Sequence, residues 1–387
     1  PTGVAAINVG GQTLHSFAGI GLGKASTPYL LAKVEKSQSA MLRWQNAKVL
    51  IIDEISMLDK ELFEAVDVIA RSVRGRVDEP FGGLQMLIVG DFFQLPPVGR
   101  GSARSFCFES PAWEAAGLLE ENNKFFLNEV IRQTESNFVN LLNEIRVGHL
   151  SESGKEILNA CLVSTKPKPE DGITPTRLYC TNRDVDRENT ESLKELEGEV
   201  YTCHAEDTWK ELPSNPNSKR ALVATLDKTV PPSMDLKIGA QVMLLRNRVE
   251  RGWKDGSSTE TTLVNGSRGV IVRFIKSSDG GSPVPVVRFD NGQTIAVGYV
   301  EWKKVGPGGD GFIVRSQLPL KLAWAITVHK AQGATLSRAV LEISTAFDYG
   351  QAYVALSRVS SLDGLWLSQP IRQSSILVHP NVLKFYG

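Results

Sequence analysis

The sequence predicts an α/β fold in which helices cover parallel sheets, with a small β module inserted late in the chain. Two short apolar runs, at residues 48–53 and 84–89, end in acidic or Gly-Asp sequences and flank a stretch of helical periodicity at residues 60–73. Buried strands that alternate with helices are typical of a parallel sheet. Across residues 266–318, short β-branched runs alternate with turn residues, which is typical of a small barrel or hairpin module.

The composition is that of an ordinary globular protein, and it excludes global disorder: 42% of the 387 residues are hydrophobic and 22% are charged. Basic and acidic residues both number 43, so the net charge is +0. That balance argues against a strongly basic nucleic-acid binder, although it leaves one basic groove open. Four cysteines without C-x-x-C spacing favour a reducing compartment over a disulfide scaffold. No apolar run reaches the roughly 18 residues of a membrane helix.

The elements follow one another in a pattern that repeats after a linker. Residues 60–73 and 138–146 both carry apolar side chains at helical spacing. The proline-rich sequence at 166–170 interrupts this pattern and predicts a linker. A strand near 177–180 and a helix at 184–196 then begin a second α/β unit. The length of the chain is sufficient for two such units and an insert.

The insert is expected to interrupt the second unit. Asn291-Gly292 predicts a hairpin turn within it, and the α/β pattern returns at residues 322–332. We therefore expect a first domain at residues 1–165, a second domain at 175–262 and 319–387, and an inserted small β-barrel at 263–318.

The first strand ends in a pair of acids, Asp53-Glu54, at the sheet edge where open α/β sheets bind ligands. In ATP-driven enzymes, such a strand presents an aspartate to Mg²⁺ and a glutamate to the attacking water. That chemistry needs one carboxylate near the metal and a base near the γ-phosphate. The alternative, equally consistent with these two residues alone, is that two acids simply end a strand.

The second strand runs into Gly90-Asp91-Phe-Phe-Gln94, followed by Pro96-Pro97. A glutamine at a strand end could sense the γ-phosphate, and the two prolines would stiffen the loop in an extended form. A purely structural turn would not need Gln94. We therefore favour the functional interpretation of this motif.

A third motif combines Gln332-Gly333 with Arg358. An arginine finger opposes the charge that develops in phosphoryl transfer and is worth about 10³–10⁵ in rate. Taken alone, Arg358 would be read as a surface arginine. In series with the two earlier motifs, the catalytic interpretation is the better one.

A phosphate-binding G-x-x-x-x-G-K-[ST] loop, which this chemistry requires, is missing from the sequence. The nearest match, residues 18–25, has Ala18 at the first glycine position and Ala25 at the hydroxyl position. The sequence begins Pro1-Thr2-Gly3 without an initiator methionine. Either processing removed something from this end or the chain is a fragment of a larger one, and we expect the 387 residues as written to hydrolyse ATP poorly or not at all.

The order of the motifs resembles that of the Pif-one (petite integration frequency) family of DNA helicases over essentially the whole chain. The segments that carry the resemblance are residues 2–21 (Thr-Gly-Val-Ala-Ala to Ala-Gly-Ile-Gly), Asp53-Glu-Ile-Ser-Met57, Pro80-Phe-Gly-Gly83, Gly90-Asp-Phe-Phe-Gln-Leu-Pro-Pro-Val98, residues 126–148, residues 318–333 and residues 352–358.

The resemblance implies a superfamily-one helicase of the P-loop NTPase type. It implies two RecA-like parallel-sheet domains, the first incomplete without its P-loop, and a small β-barrel inserted in the second. ATP and Mg²⁺ would drive 5′-to-3′ movement on single-stranded DNA and the unwinding of duplex or G-quadruplex DNA. The implied roles are DNA repair, recombination and telomere maintenance by a monomer in the nucleus or mitochondrion, away from membranes.

The same resemblance assigns roles to residues at the matching positions. In the first domain, Asp53 would hold Mg²⁺, Glu54 would be the catalytic base and Gln94 would sense the γ-phosphate. Arg132 and Arg358, one from each domain, would contact phosphate, and Gln332 and Gly333 would couple nucleotide to DNA.

DNA contacts are expected from residues in the motif loops, because single strands are held by stacking on flat side chains and by cationic tracks. The candidates are Thr2, His15, Phe17, Phe81, Pro96, Pro97 and His329. Core packing is the alternative for each aromatic residue. A basic run in residues 246–254 is equally well a solvated loop. A second hypothesis for the whole chain is a non-catalytic, helicase-derived protein that binds single-stranded DNA.

Overall fold

The computed structural model describes residues 11–21, 23–97, 104–167, 169, 173–213, 216–227, 230–246, 248–254, 257–263, 266–275, 282–306, 311–343 and 348–387, with only the backbone between 248 and 263. Helices and strands alternate along this length in two parallel sheets, and an antiparallel insert interrupts the second of them. Among the described residues, no helix combines the length and apolarity needed to cross a membrane.

The first sheet pairs two short parallel strands under a layer of helices. Asp59 begins the longest of these helices, because its carboxylate accepts from the Leu62 amide at 2.7 Å, and Gly75 ends it at φ 66°. The elements are α1 (Leu14–Ala18), α2 (Thr27–Glu35), α3 (Gln38–Asn46), β1 (Val49–Ile52), α4 (Lys60–Arg74) and β2 (Gln85–Ile88).

The expectation that β1 is a buried strand is only half right. Leu50 and Ile52 lie in the core beneath α2 to α4, whereas Val49 and Ile51 point to the opposite face and are 45% and 58% exposed. Side chains alternate across a strand, so one face of the sheet is packed and the other is open in the described part of the chain. The apolar sequence of β1 therefore predicted the strand correctly but not the exposure of one of its faces.

Three further helices follow the first sheet and lead toward the second. Residues 124–135 form neither helix nor strand, and the helix expected at residues 138–146 begins at Ser136. The helices are α5 (Pro111–Ala115), α6 (Ser136–Arg146) and α7 (Glu152–Ala160). Phe138, Leu141, Leu142 and Ile145 of α6 are buried in the core of the second sheet.

The second sheet has four parallel strands in the order β16-β3-β17-β18. Its strands are β3 (Thr176–Tyr179), β16 (Ala325–Thr327), β17 (Ala339–Glu342) and β18 (Leu365–Leu367). The helices beside it are α8 (Asn182–Glu195), α10 (Val328–Ala331) and α11 (Gln351–Ser357), and a last helix, α12 (Pro380–Tyr386), packs into the core of the first sheet. This sheet confirms the predicted return of the α/β pattern.

Between β3 and β16 the chain forms antiparallel sheets, which confirms the predicted β module. Asn291-Gly292 makes the predicted turn, with Gly292 at φ 83°. The elements are β4 (Tyr201–His204), β5 (Glu206–Glu211), α9 (Pro216–Asp227), β6 (Ser233–Leu236), β7 (Gln241–Leu244), β8 (Arg248–Lys254), β9 (Ser257–Leu263), β10 (Arg268–Ile275), β11 (Val284–Phe289), β12 (Thr294–Ala296), β13 (Val300–Val305), β14 (Phe312–Gln317) and β15 (Leu320–Leu322).

The pairing indicates an insert wider than residues 263–318. β7 lies between β10 and β15 in a five-stranded sheet, and β5 pairs with β14. Strands before residue 263 therefore belong with the insert and not with the second parallel sheet. We propose limits near residues 197 and 323. Short apolar strands look alike in both settings, so the sequence pattern could not assign β4 to β7 to the correct sheet.

A buried arginine fixes the insert to the second sheet. Arg268 of β10 is fully buried, and its guanidinium donates to the Thr176 hydroxyl of β3 at 2.6 Å. Gln241 of β7 makes a second link, since its side chain exchanges hydrogen bonds with Thr174. Buried polar groups need such partners, so this junction has one favoured geometry.

Candidate functional site

The paired acids lie at the carboxyl end of the first sheet. Glu54 has a left-handed backbone, φ 53° and ψ 47°, which is uncommon for a residue other than glycine. The Asp53 carboxylate accepts from the Glu54 amide at 2.8 Å, and Ile55 donates to the Val89 carbonyl at 3.1 Å. These bonds hold the turn in a conformation of a kind that concentrates at functional sites.

Gln332 reaches Glu54 from the other half of the molecule. Its side-chain amide donates to the Glu54 carboxylate at 2.8 Å, and its own amide oxygen is buried without a partner. Gln332 follows the short helix α10, where Gly333 turns the chain at φ 78°. The acid of one parallel sheet and the glutamine of the other therefore meet in one site, 278 residues apart in the chain.

Two arginines flank this contact. Arg358 is 3% exposed, and its guanidinium donates to the Val354 carbonyl and the Ser357 hydroxyl at 3.1 and 2.9 Å. Arg132 donates to the Thr335 hydroxyl and the Ser357 carbonyl at 3.1 and 3.2 Å. Both arginines thus bond to neutral groups of the second half of the chain.

The arginines are electrostatically close to each other and to Glu54. Burial, followed by repulsion from Arg132, lowers the pKa of Arg358 to about 10, and Glu54 opposes that change. Burial also lowers the pKa of Arg132. A buried cation and a half-buried one with a single nearby carboxylate form a place where an anion is stabilised.

Gln94 lies at the edge of the same region. Its amide oxygen is buried without a partner, and its backbone lies against Gly350 at the start of α11. Asp91, at the start of this loop, accepts from Arg146 through both carboxylate oxygens at 2.9 and 3.0 Å. The structure thus places Gln94 beside the helix that carries Arg358.

Asp53 is suited to hold a magnesium ion together with substrate phosphates. One of its oxygens accepts from a backbone amide, and the residue is only partly buried. The described residues contain no group of three or more metal-binding side chains. A single carboxylate such as that of Asp53 is compatible with Mg²⁺, which commonly takes one or two carboxylates along with phosphate oxygens and water.

Three of the predicted DNA contacts are contradicted, and a fourth lies outside the described residues. Phe81 is fully buried against Phe63, with ring centroids 5.1 Å apart, so no base can stack on it. Pro96 and Pro97 are also buried and cannot wedge between bases. Their motifs suggested exposed side chains, but the structure buries all three. Thr2 is the residue outside the described part of the chain.

The remaining candidates, His15, Phe17 and His329, are half-buried. Phe17 packs edge-on against Trp44 at 4.9 Å. Burial lowers the pKa of both His15 and His329, so each imidazole is favoured in its neutral form. Their DNA-binding role stays a prediction.

In the basic run, the side chains of Arg248, Arg251 and Lys254 lie outside the description. Arg246 packs over Trp302 at 4.3 Å and donates to the Glu301 carbonyl at 2.8 Å. Its guanidinium is therefore engaged with the insert.

Sequence reasoning missed two groups at the site. The side chain of Gln351 is fully buried at the start of α11, and neither its amide nitrogen nor its amide oxygen has a partner. Burial raises the pKa of Tyr353 to about 12 on the same helix. The sequence did offer a signal for both residues. They are polar side chains just ahead of Arg358, in a short segment otherwise rich in small and apolar residues.

Two parallel-sheet domains that share one acid–arginine site define the class of two-domain RecA-like motor proteins. The chain belongs to the PIF1-like helicase family, whose family model matches residues 1–156. This finding confirms both the resemblance and the predicted fold class.

Known relatives cover the whole chain. ATP-dependent DNA helicase PIF1 of Xenopus laevis is 42% identical over 390 residues, and the human protein of the same name is 40% identical; each match covers 100% of this chain and 56% of the relative. The chain therefore spans about half the length of these curated relatives.

Solved structures agree with these matches. The crystal structure of Pif1 helicase from Candida albicans is 35% identical with a TM-score of 0.76, and the match covers 100% of this chain and 86% of that one. The Bacteroides Pif1 helicase in complex with ADP-AlF3 and ssDNA is 30% identical with a TM-score of 0.63, and 85% of it is covered.

Proposed function

We propose that the protein is an ATP-dependent DNA helicase, which couples ATP hydrolysis to 5′-to-3′ movement along single-stranded DNA. The observation that carries this proposal is the 2.8 Å hydrogen bond from Gln332 to Glu54. It joins the two halves of the molecule at the acid where hydrolysis would occur, so closure of the halves and chemistry are mechanically linked. The name of the relatives, ATP-dependent DNA helicase, supports the same reaction.

The proposed hydrolysis uses side chains from both halves. Glu54 accepts a proton from the attacking water, and Gln332 holds its carboxylate in position. Arg358, which is buried, and Arg132, which is half-buried, stabilise the negative charge that spreads over the transferred phosphoryl oxygens. Gln94 donates from its side-chain amide nitrogen to a γ-phosphate oxygen.

Asp53 would hold Mg²⁺, which neutralises phosphate charge when it is bound. The Glu54 amide donates to one oxygen of that carboxylate and so orients it. The other oxygen then remains for the ion. The reaction is the transfer of the γ-phosphoryl group to water, with a proton leaving through Glu54.

Single-stranded DNA, duplex DNA and G-quadruplex DNA are the proposed partners. Support comes from the Bacteroides Pif1 helicase, whose structure was solved with ssDNA, and from a Pif1 structure described as the basis for DNA unwinding at forked dsDNA by two coordinating helicases. We also propose that the protein acts as a monomer in the nucleus or mitochondrion, in DNA repair, recombination and telomere maintenance. These roles rest on the family.

A non-catalytic protein that binds single-stranded DNA is the second candidate function. The observation that favours it is the lack of any G-x-x-x-x-G-K-[ST] motif in the 387 residues, because that loop holds the nucleotide in this class. ATP hydrolysis distinguishes the two candidates directly.

The test measures DNA-stimulated ATP hydrolysis by the protein expressed from its complete open reading frame. Glu54→Gln should lower kcat by about 10²–10⁴ while binding of ATP and single-stranded DNA is retained, because the amide cannot accept the proton. Glu156→Gln, at an exposed acid of α7, is the matched control and should leave kcat unchanged. A wild-type protein that binds DNA but does not hydrolyse ATP would establish the second candidate.

A further inference from the structure

The last helix of the chain packs against the first sheet and not against the second. Val382 of α12 is 1% exposed in the core beneath α4, and the Phe385 ring stacks on Phe108 at 4.4 Å. The Asn381 amide donates to the Glu109 carboxylate at 2.5 Å. The end of the chain is thereby fixed to the first half of the molecule.

Tyr386, in the last turn of α12, holds the loop that carries Gln94. The backbone amide of Phe92 donates to the Tyr386 hydroxyl at 3.2 Å. The Tyr386 ring also stacks on the Phe93 ring, with centroids 4.8 Å apart and planes inclined by 14°. Two consecutive residues just before Gln94 thus contact one side chain.

Arg146 completes the stack and connects it to Asp91. Its guanidinium carbon lies 4.3 Å from the Phe93 ring centroid and 5.5 Å from that of Tyr386. The same guanidinium makes the two-point ion pair with Asp91. Tyr386, Phe93 and Arg146 therefore restrain the loop from Asp91 onward.

Gly350 restrains the same loop from the other side. A Cβ atom at Gly350 would lie 2.4 Å from the Gln94 carbonyl oxygen and 2.6 Å from that of Phe93, so the two backbones are in close contact. The Gly350 amide donates to the Leu377 carbonyl at 2.9 Å, which joins the start of α11 to the segment that leads into α12.

We propose that Tyr386 is a positioning residue for Gln94, and this proposal rests on the proposed helicase function. The Gln94 amide oxygen has no partner, so contacts of the loop backbone, and not a side-chain hydrogen bond at that oxygen, orient this residue toward the phosphate site. Tyr386 fixes that backbone through Phe92 and Phe93. Helix α12 thereby sets the geometry of a residue almost 300 positions earlier in the chain.

Hydrogen exchange tests the contact itself, in the protein from the complete open reading frame. Tyr386→Phe keeps the ring stack but removes the oxygen that accepts from Phe92. Loss of one hydrogen bond should speed amide exchange in residues 91–94 by roughly fivefold. Lys384→Ala, at an exposed position of the same helix, is the matched control and should change nothing there. Unchanged exchange in Tyr386→Phe would overturn the proposal.

A double-mutant cycle tests whether Tyr386 acts through Gln94. Tyr386→Phe should lower kcat for ATP hydrolysis several-fold with KM for ATP unchanged, and should cause no further loss in a Gln94→Ala background. Equal losses in both backgrounds would show a merely structural role and overturn the proposal. Absence of ATP hydrolysis in the wild-type protein would refute the proposed function and not the contact. The hydrogen-exchange experiment tests the contact between Tyr386 and Phe92 without requiring ATP hydrolysis.

Discussion

Substitution of Gly350 by alanine tests the contact between α11 and the Gln94 loop. Gly350 has φ 71° and ψ −9° at the start of α11. A left-handed backbone costs a residue with a Cβ about 1–2 kcal/mol. The added methyl group would also meet the carbonyl oxygens of Phe93 and Gln94 at 2.6 and 2.4 Å, so one backbone must move. Overpacking of this kind typically costs about 1–3 kcal/mol.

We therefore expect Gly350→Ala to lower the free energy of unfolding by about 2–5 kcal/mol, the sum of these two contributions. The assay is urea unfolding followed by tryptophan fluorescence. Gly75→Ala is the control, since Gly75 has φ 66° and a Cβ there would meet nothing within 4 Å. It should show the backbone contribution alone. Equal destabilisation by the two variants would refute the close contact at the Gln94 loop.

Two other substitutions separate catalysis, DNA binding and stability. Arg358→Ala in the protein from the complete open reading frame should reduce ATP hydrolysis by about 10³-fold or more with single-stranded DNA affinity nearly unchanged, because the proposed role of the guanidinium is to oppose phosphoryl charge; equal losses in a DNA titration would point to a structural role. Phe81→Leu should lower the free energy of unfolding by about 1 kcal/mol without weakening DNA binding, because the ring is buried against Phe63; weaker DNA binding at unchanged stability would reinstate base stacking.

The sequence predicted helices and turns closely where neighbouring residues determine their ends. The helix expected at residues 60–73 is observed at Lys60–Arg74, bounded by Asp59 and Gly75. The hairpin at Asn291-Gly292 formed as expected. The extent of the insert could not be predicted in this way, because the partner of β7 is decided by β10 and β15, strands that lie more than 20 residues away in sequence.

The site residues likewise fall into those that the topology predicted and those that it did not. Asp53, Glu54 and Gln94 follow strands, so their place at one sheet edge could be predicted from the topology. The motif around Phe81 gave no information on side-chain direction, and the ring points into the core. The role of Tyr386 was not predicted, because the sequence Phe385-Tyr386 in α12 is equally typical of ordinary core packing. Only the fold shows that Tyr386 contacts Phe92 and Phe93.

Directional unwinding is the most direct test of the claim that the two halves form a DNA motor. The measurement is strand displacement by the protein from the complete open reading frame, with ATP, on duplexes that carry either a 5′ or a 3′ single-stranded tail. We expect unwinding of the 5′-tailed duplex alone, and we expect Glu54→Gln to abolish it. Unwinding confined to the 3′-tailed duplex, or none with ATP on either substrate, would contradict it.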